Sequence, residues 1–144
     1  MDETTTTAPP APYLLYENAS AALAWLATAF GFTETLRFAG PDGAVRHAEM
    51  RCGGGVVMLG QPADYQSPKR SGQRCSLVVV TVDDVDAHFA HAKAAGATIV
   101  SEPEDKPYGD RMYSADDPEG QRWFFSQPVR TVAPEEWGAV RSSA

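Results

Sequence analysis

His47 and Glu49 stand two residues apart in Val45-Arg46-His47-Ala48-Glu49-Met50-Arg51, a stretch whose alternation reads as a β-strand. Side chains at i and i+2 share one face of a strand, so an imidazole and a carboxylate are expected side by side. Histidine titrates near neutrality, which makes His47 a candidate acid, base or ligand hydrogen-bonder if that face lines a pocket. A solvated or internally bonded strand pair is the alternative. Tyr113, 66 residues beyond His47, carries a second candidate acid–base group. Arg122 and Phe124 alternate with Trp123 and Phe125, so one pair is expected to face a pocket and the other to pack under helices. Arg122 can meet an anionic ligand or an acidic neighbour.

Other polar clusters read as structural. His88 and His91, three apart on a predicted helix, could share a metal, but no Cys or carboxylate is arranged to complete the site. They are expected on the helix surface. Asp117-Pro118-Glu119-Gly120, next to Asp116, reads as a turn rather than a cation loop. Gly53-Gly54-Gly55 joins two strands and lacks the helix and lysine of a phosphate loop. The nucleophile pattern Gly-x-Ser-x-Gly does not occur.

The elements that must position these residues come in two sets. In the first, Tyr13 to Tyr16 suits a buried strand, and Asn18 can cap a helix with Ala21, Ala22, Trp25, Leu26 and Ala29 at helical spacing. Gly31 stops that helix. Strands follow at Thr33–Phe38, Val45–Arg51 and Val56–Leu59, with a turn at Pro41-Asp42-Gly43. In the second, Leu77–Val82 is a strand, and Asp83-Asp84 cap a helix with Val85, Phe89 and Ala92 on one side. Gly96 ends it, and strands follow at Ala97–Val100, Arg111–Ala115 and Arg122–Ser126. Both sets read β-α-β-β-β.

An offset of 66 superposes them: Asn18 on Asp84, Leu23 on Phe89, Gly43 on Gly109, Gly54 on Gly120 and Leu59 on Phe125. The helix-ending glycines Gly31 and Gly96 are 65 apart, a slip of one. The expected fold is α+β, a duplicated βαβββ module whose curved mixed sheets surround a cavity. Residues 1–11 form a flexible leader, 12–127 a single domain of modules 12–60 and 74–127 joined by linker 61–73, and 128–144 a tail with a helical turn near Glu135–Val140.

The chain's 144 residues suffice for one core, and 43% hydrophobic with 22% charged residues is ordinary for a globular protein. A net charge of −7 without a basic stripe argues against nucleic acid and against an anionic membrane surface. The first twelve residues lack the features of a signal peptide, and no apolar run approaches a membrane span. Cys52 and Cys75 are too few for a disulfide framework and read as small core or strand residues, consistent with a cytoplasmic location.

Three passages carry a family resemblance: Tyr13 to Ala19 leading to Phe30-Gly31-Phe32; Val82-Asp83-Asp84-Val85-Asp86-Ala87; and Tyr108-Gly109-Asp110-Arg111 running to Asp117 through Trp123. In order and spacing they resemble the vicinal oxygen chelate superfamily of glyoxalases, bleomycin-resistance proteins and extradiol dioxygenases. The nearest flavour is its glyoxalase-like branch, with proteins resembling PhnB. The resemblance covers about residues 12 to 127 and implies paired βαβββ modules around a cavity, often in a homodimer.

Metal-dependent members place His, Gln or Glu on the first and last strand of each module. By the motifs those positions are Ala11, Met58, Leu77 and Phe124, none a ligand for such a metal. A shift by one, to Pro10, Pro12, Val57, Leu59, Ser76, Val78, Trp123 or Phe125, does not restore a site. The resemblance therefore implies no metal and no cofactor, and a pocket that accepts aromatic compounds. The expected ligand-binding residues are Tyr13, His47, Met58, Leu77, Tyr113, Arg122 and Phe124, with His47 and Tyr113 the candidates for catalysis. The expected partners are a small molecule and a second copy of the chain. The leading reading is a metal-free protein that sequesters an aromatic or antibiotic-like compound. The alternatives are a metal-independent isomerase or lyase, and a metal-dependent lyase or dioxygenase with displaced ligands.

Overall fold

A computed structural model describes residues 8–143. Strands β1 (Tyr13–Leu15), β2 (Thr33–Ala39), β3 (Val45–Cys52) and β4 (Gly55–Gly60) form one sheet in the order β1-β4-β3-β2. Strands β5 (Leu77–Thr81), β6 (Thr98–Asp105), β7 (Asp110–Asp116) and β8 (Arg122–Pro128) form a second, in the corresponding order β5-β8-β7-β6. In each, the first strand runs parallel to the last and the other pairs are antiparallel. The fold is thus α+β, a βαβββ unit used twice.

Helix α1 (Ala19–Phe30) and helix α3 (Val85–Ala94) are the crossovers of the two modules. Both begin as the sequence predicts. The Asn18 side chain accepts from Ala21 N at 3.0 Å and the Asp84 side chain from Ala87 N at 3.0 Å. A second cap is also repeated: Gln61 Oε1 accepts from Ala19 N and Gln127 Oε1 from Val85 N, at 2.8 and 3.0 Å. Gly31 closes α1 in the left-handed conformation.

The two modules share one core on the helix side of their sheets. The Phe30 ring of α1 lies 4.7 Å from Phe125 and 5.9 Å from Trp123 of β8, both fully buried. The α1 and α3 helices touch, and the histidines of α3 pin them: His88 Nε2 lies 2.9 Å from Phe30 O and His91 Nε2 2.7 Å from Thr28 O. His88 is therefore half-buried between elements rather than on the helix surface. These contacts satisfy carbonyls left open at the C-terminal turn of α1.

The turn after β7 fastens the modules a second time. Buried Asp117 accepts from Tyr16 Oη at 2.6 Å, Trp123 Nε1 at 3.2 Å and the backbone N–H groups of Glu119 and Gln121. Glu119 accepts from Glu17 N and Asn18 N at the start of α1, and Gln121 donates to Leu15 O. The linker carries a short helix, α2 (Pro68–Ser71), and is held to both modules: Ser67 N and Arg70 Nη1 donate to Glu17, and Lys69 N donates to Glu119 O. Those hydrogen bonds, from Ser67 and then Arg70, bring the Glu17 carboxyl down to about 2.

Strand β6 continues through Asp105, beyond its predicted end at Val100. Pro103 and three acids mask it in the sequence, and an exposed edge strand with shifted register tolerates them. The tail packs rather than trails. Val129 N and Arg130 N donate to Gly109 O, and Trp137, in a 3-10 turn over Pro134–Trp137, meets the Tyr108 ring edge-on at 5.5 Å. Residues 1–7 of the predicted leader lie outside the described residues, while Pro12 O accepts from Met58 N at 2.9 Å.

Candidate functional site

The sheet faces turned away from the helices carry the candidate residues. On the first sheet, cross-strand register makes one row of Tyr13, Met58, Glu49 and Leu36, and the next of Leu15, Gly60, His47 and Phe38. On the second, Val79, Phe124 and Ser114 form the row that matches the first of these, with Leu77, Arg122 and Asp116 beside it. Tyr13, Leu15, Leu36, Phe38, Val56, Leu77 and Val79 are exposed there, with Phe38 at 61% and Val79 at 55%. A groove of about 690 Å³ runs between β4 and β5, lined by Pro9 to Pro12, Glu49, Val56, Met58, Val79 and Thr81. Within one chain these faces line open grooves rather than an enclosed chamber.

His47 sits at the centre of a three-residue chain on this face. Its Nε2 lies 2.8 Å from Glu49 Oε2 and its Nδ1 2.9 Å from Tyr13 Oη. A carboxylate only accepts, so in the neutral imidazole the proton sits on Nε2 toward Glu49 and Nδ1 accepts from the Tyr13 hydroxyl. Tyr13 belongs to β1 and His47 to β3, with β4 between them. The phenol ring crosses β4 at Gly60, where a Cβ would stand 2.7 Å from Tyr13 Cε1 and 2.9 Å from its hydroxyl. Gly60 is the opening that lets the chain form. Sequence reasoning paired His47 with Glu49 but missed the part Tyr13 plays. A glycine inside an otherwise apolar strand is the available signal, since it marks a close approach.

Tyr113 is not part of this face. It is fully buried on the helix side, stacked on Phe125 at 5.1 Å, with its hydroxyl 2.5 Å from His88 Nδ1. Burial drives its hydroxyl far above the ordinary tyrosine range. Its true counterpart in the first module is Ala48, because Ala48 pairs with Leu59 as Tyr113 pairs with Phe125. The offset is 65 on these strands and 66 on β4 and β8. The turn Asp117–Gln121 holds one more residue than Cys52–Gly55 and restores the difference. One residue of register exchanges the faces of a strand.

Arg122 does reach the open face, but its guanidinium makes two bonds to Asp116, at 2.9 and 3.1 Å, and Asp116 also takes Arg74 at 3.3 Å. The acidic neighbour, not a free anion site, accounts for it. Met58, Leu77 and Phe124 lie on the open faces and Ala11 beside the large groove. Thioether, aliphatic and aromatic groups do not make the donor set of a glyoxalase-type metal. Among the described residues no three His, Cys, Asp or Glu side chains converge. The residues present at these positions do not fit that metal. Cys52 is buried, Cys75 exposed, and both are free thiols. No helix among the described residues is long and apolar enough to cross a membrane.

Comparison with known proteins agrees with this architecture. The chain is 38% identical to the uncharacterised protein Mb0911c of Mycobacterium bovis, over 92% of this chain and 91% of that one. It is 38% identical to TioX from a Micromonospora species, whose crystal structure matches with a TM-score of 0.69 over 88% of this chain and 100% of the other. The fosfomycin resistance protein FosX of Listeria monocytogenes shares the fold at 13% identity, with a TM-score of 0.63 over 92% and 98% of the two chains. The family model matches residues 10–125, and the chain belongs to the glyoxalase/bleomycin resistance protein/dioxygenase superfamily.

Proposed function

We propose that this chain is a metal-free small-molecule-binding protein of the glyoxalase/bleomycin-resistance type, which sequesters an aromatic or antibiotic-like compound on its open sheet faces. The observation that carries this reading is the apolar lining, Met58 and Phe124 included, at the positions from which metal-dependent members would coordinate. A face of that kind, with a few polar groups at one side, suits a planar apolar ligand. The protein acts in the cytoplasm, in keeping with its two free thiols. It acts as a homodimer, since seven large apolar side chains on these faces are open in a single chain.

Differential scanning fluorimetry against a panel of aromatic compounds tests the reading. A ligand at a hundred times its dissociation constant adds about 2.7 kcal/mol, which raises Tm by about 5–10 °C for a domain of this size. Light scattering should return the mass of two chains. One stoichiometric transition metal per purified chain, or no stabilising aromatic ligand in the panel, overturns the proposal.

A further inference from the structure

The Tyr13–His47–Glu49 chain has more order than apolar binding requires. Its three groups come from two strands, its two bonds are 2.9 and 2.8 Å long, and Gly60 clears the space for the ring that joins them. Tyr13 is 48% exposed, while His47 and Glu49 are shielded behind it at 29% and 26% side-chain exposure. The single phenol proton of Tyr13 is committed to His47. Toward the open face its oxygen therefore offers lone pairs, not a proton.

We infer that this chain is an acid–base relay that recognises an aromatic ligand through an acidic ring hydroxyl and takes up its proton. The inference rests on the small-molecule reading above. The ligand's O–H hydrogen bonds to Tyr13 Oη. As that proton moves to Oη, the proton already on Oη passes to His47 Nδ1. One ligand O–H bond and one tyrosine O–H bond break; one tyrosine O–H bond and one imidazole N–H bond form. No electron is transferred and no further reactant is needed. The imidazolium is stabilised by Glu49, and the ligand anion keeps a hydrogen bond from Tyr13.

The surroundings select the ligand class. Met58, Leu36, Leu15 and Phe38 give an apolar seat for a ring on either side of the relay. Arg46, paired with Asp42 at 2.9 Å, lines the same recess as Tyr13 and Gly60. Strands β1 and β4, which carry Tyr13 and Gly60, add no charged side chain to these rows; the charged neighbours are Glu49 and, two residues on along β3 opposite Val56, Arg51, with the Arg46–Asp42 pair at the recess. An electron-poor phenol or hydroxy-heteroarene meets these conditions. An aliphatic alcohol is too weak an acid.

The full chain titrated with p-nitrophenol, whose anion absorbs visible light, tests the relay, with p-nitroanisole as the isostere lacking the proton. Binding should make the probe about tenfold more acidic, a fall of about one pKa unit. Tyr13→Phe should abolish that fall and Glu49→Gln should reduce it, with circular dichroism and a parent-like urea midpoint reporting that both variants fold. An equal fall in Tyr13→Phe, or nitrophenol bound with no fall, overturns the relay and leaves the binding reading standing. Failure of the parent chain to bind either probe overturns both.

Discussion

The two modules keep one scaffold and divide the chemistry. Positions that hold the scaffold repeat in kind: Asn18 and Asp84 cap the helices, and Gln61 and Gln127 cap them again. Positions on the open face do not. Where the first module has Tyr13, Glu49, His47 and Gly60, the second has Val79, Ser114, Met112 and Ser126 in matching register. Met112 is covered, its sulfur accepting from Tyr108 Oη, and Tyr108 packs on Trp137 of the tail. On the helix side the weighting reverses. Ala48, Val57 and Leu59 of the first module face the core where the second has Tyr113, Trp123 and Phe125. At these paired strand positions the second module supplies the larger core side chains, and the first carries the exposed polar relay. The two modules share backbone topology and helix caps and differ in the side chains on both sheet faces.

The comparison breaks most severely at the clasp between modules. Asp117→Ala leaves the buried Tyr16 hydroxyl, the Trp123 N–H and two backbone N–H groups without their acceptor. Urea denaturation should show a loss of about 3 kcal/mol or more. A loss under about 1 kcal/mol would mean that the modules hold together without it.

The second module's core also carries a pH signature. Burial holds His88 below the ordinary histidine range, outweighing the bond to Phe30 O that raises it, and His91 lowers it further. The folded state then disfavours the imidazolium, and the unfolded chain binds the proton first. Stability from this site is whole above the ordinary histidine pKa of about 6.5 and is lost as pH falls below it. Denaturation midpoints between pH 7 and 5 should fall less steeply in His88→Gln than in the parent.

Smaller changes sharpen the contrast between the open faces. Arg122→Gln removes the paired bonds to Asp116 on the second module's face and should cost about 0.5–1 kcal/mol, leaving aromatic binding intact. Gly60→Ala acts on the first module's face. Its added methyl must push the exposed Tyr13 ring off β4, so stability should change by less than about 1 kcal/mol while the acidification of bound nitrophenol disappears. An unchanged nitrophenol titration in Gly60→Ala would mean that the ring does not need this opening.

Much of this was legible in the sequence because it is local or periodic. Helix caps, helix-stopping glycines and alternating strands depend on residues a few positions apart, and they located all eight strands and both long helices. The absence of metal-ligating residues at Met58, Leu77 and Phe124 needed only their identities and the repeat. Short helix α2 was hidden in a segment read from its prolines as a connection. The far end of β6 was hidden by Pro103, which only an edge position tolerates. His88 looked like a surface residue because the groups it meets, Phe30 O and Tyr113 Oη, belong to other elements far away in the chain, whereas His91 does lie on the surface.

By itself, then, the sequence determined the doubled βαβββ plan, the capping of its helices and the residue types available at each strand position. Tertiary structure decided which face those residues served. Gly31 and Gly96 already carry the one-residue slip, yet a slip has no consequence until strands pair. Side chains alternate with a period of two, so register alone sent Tyr113 into the core while His47 stayed outside. Pairing across β4 likewise brought Tyr13 to His47, over a glycine whose importance lies only in what crosses it.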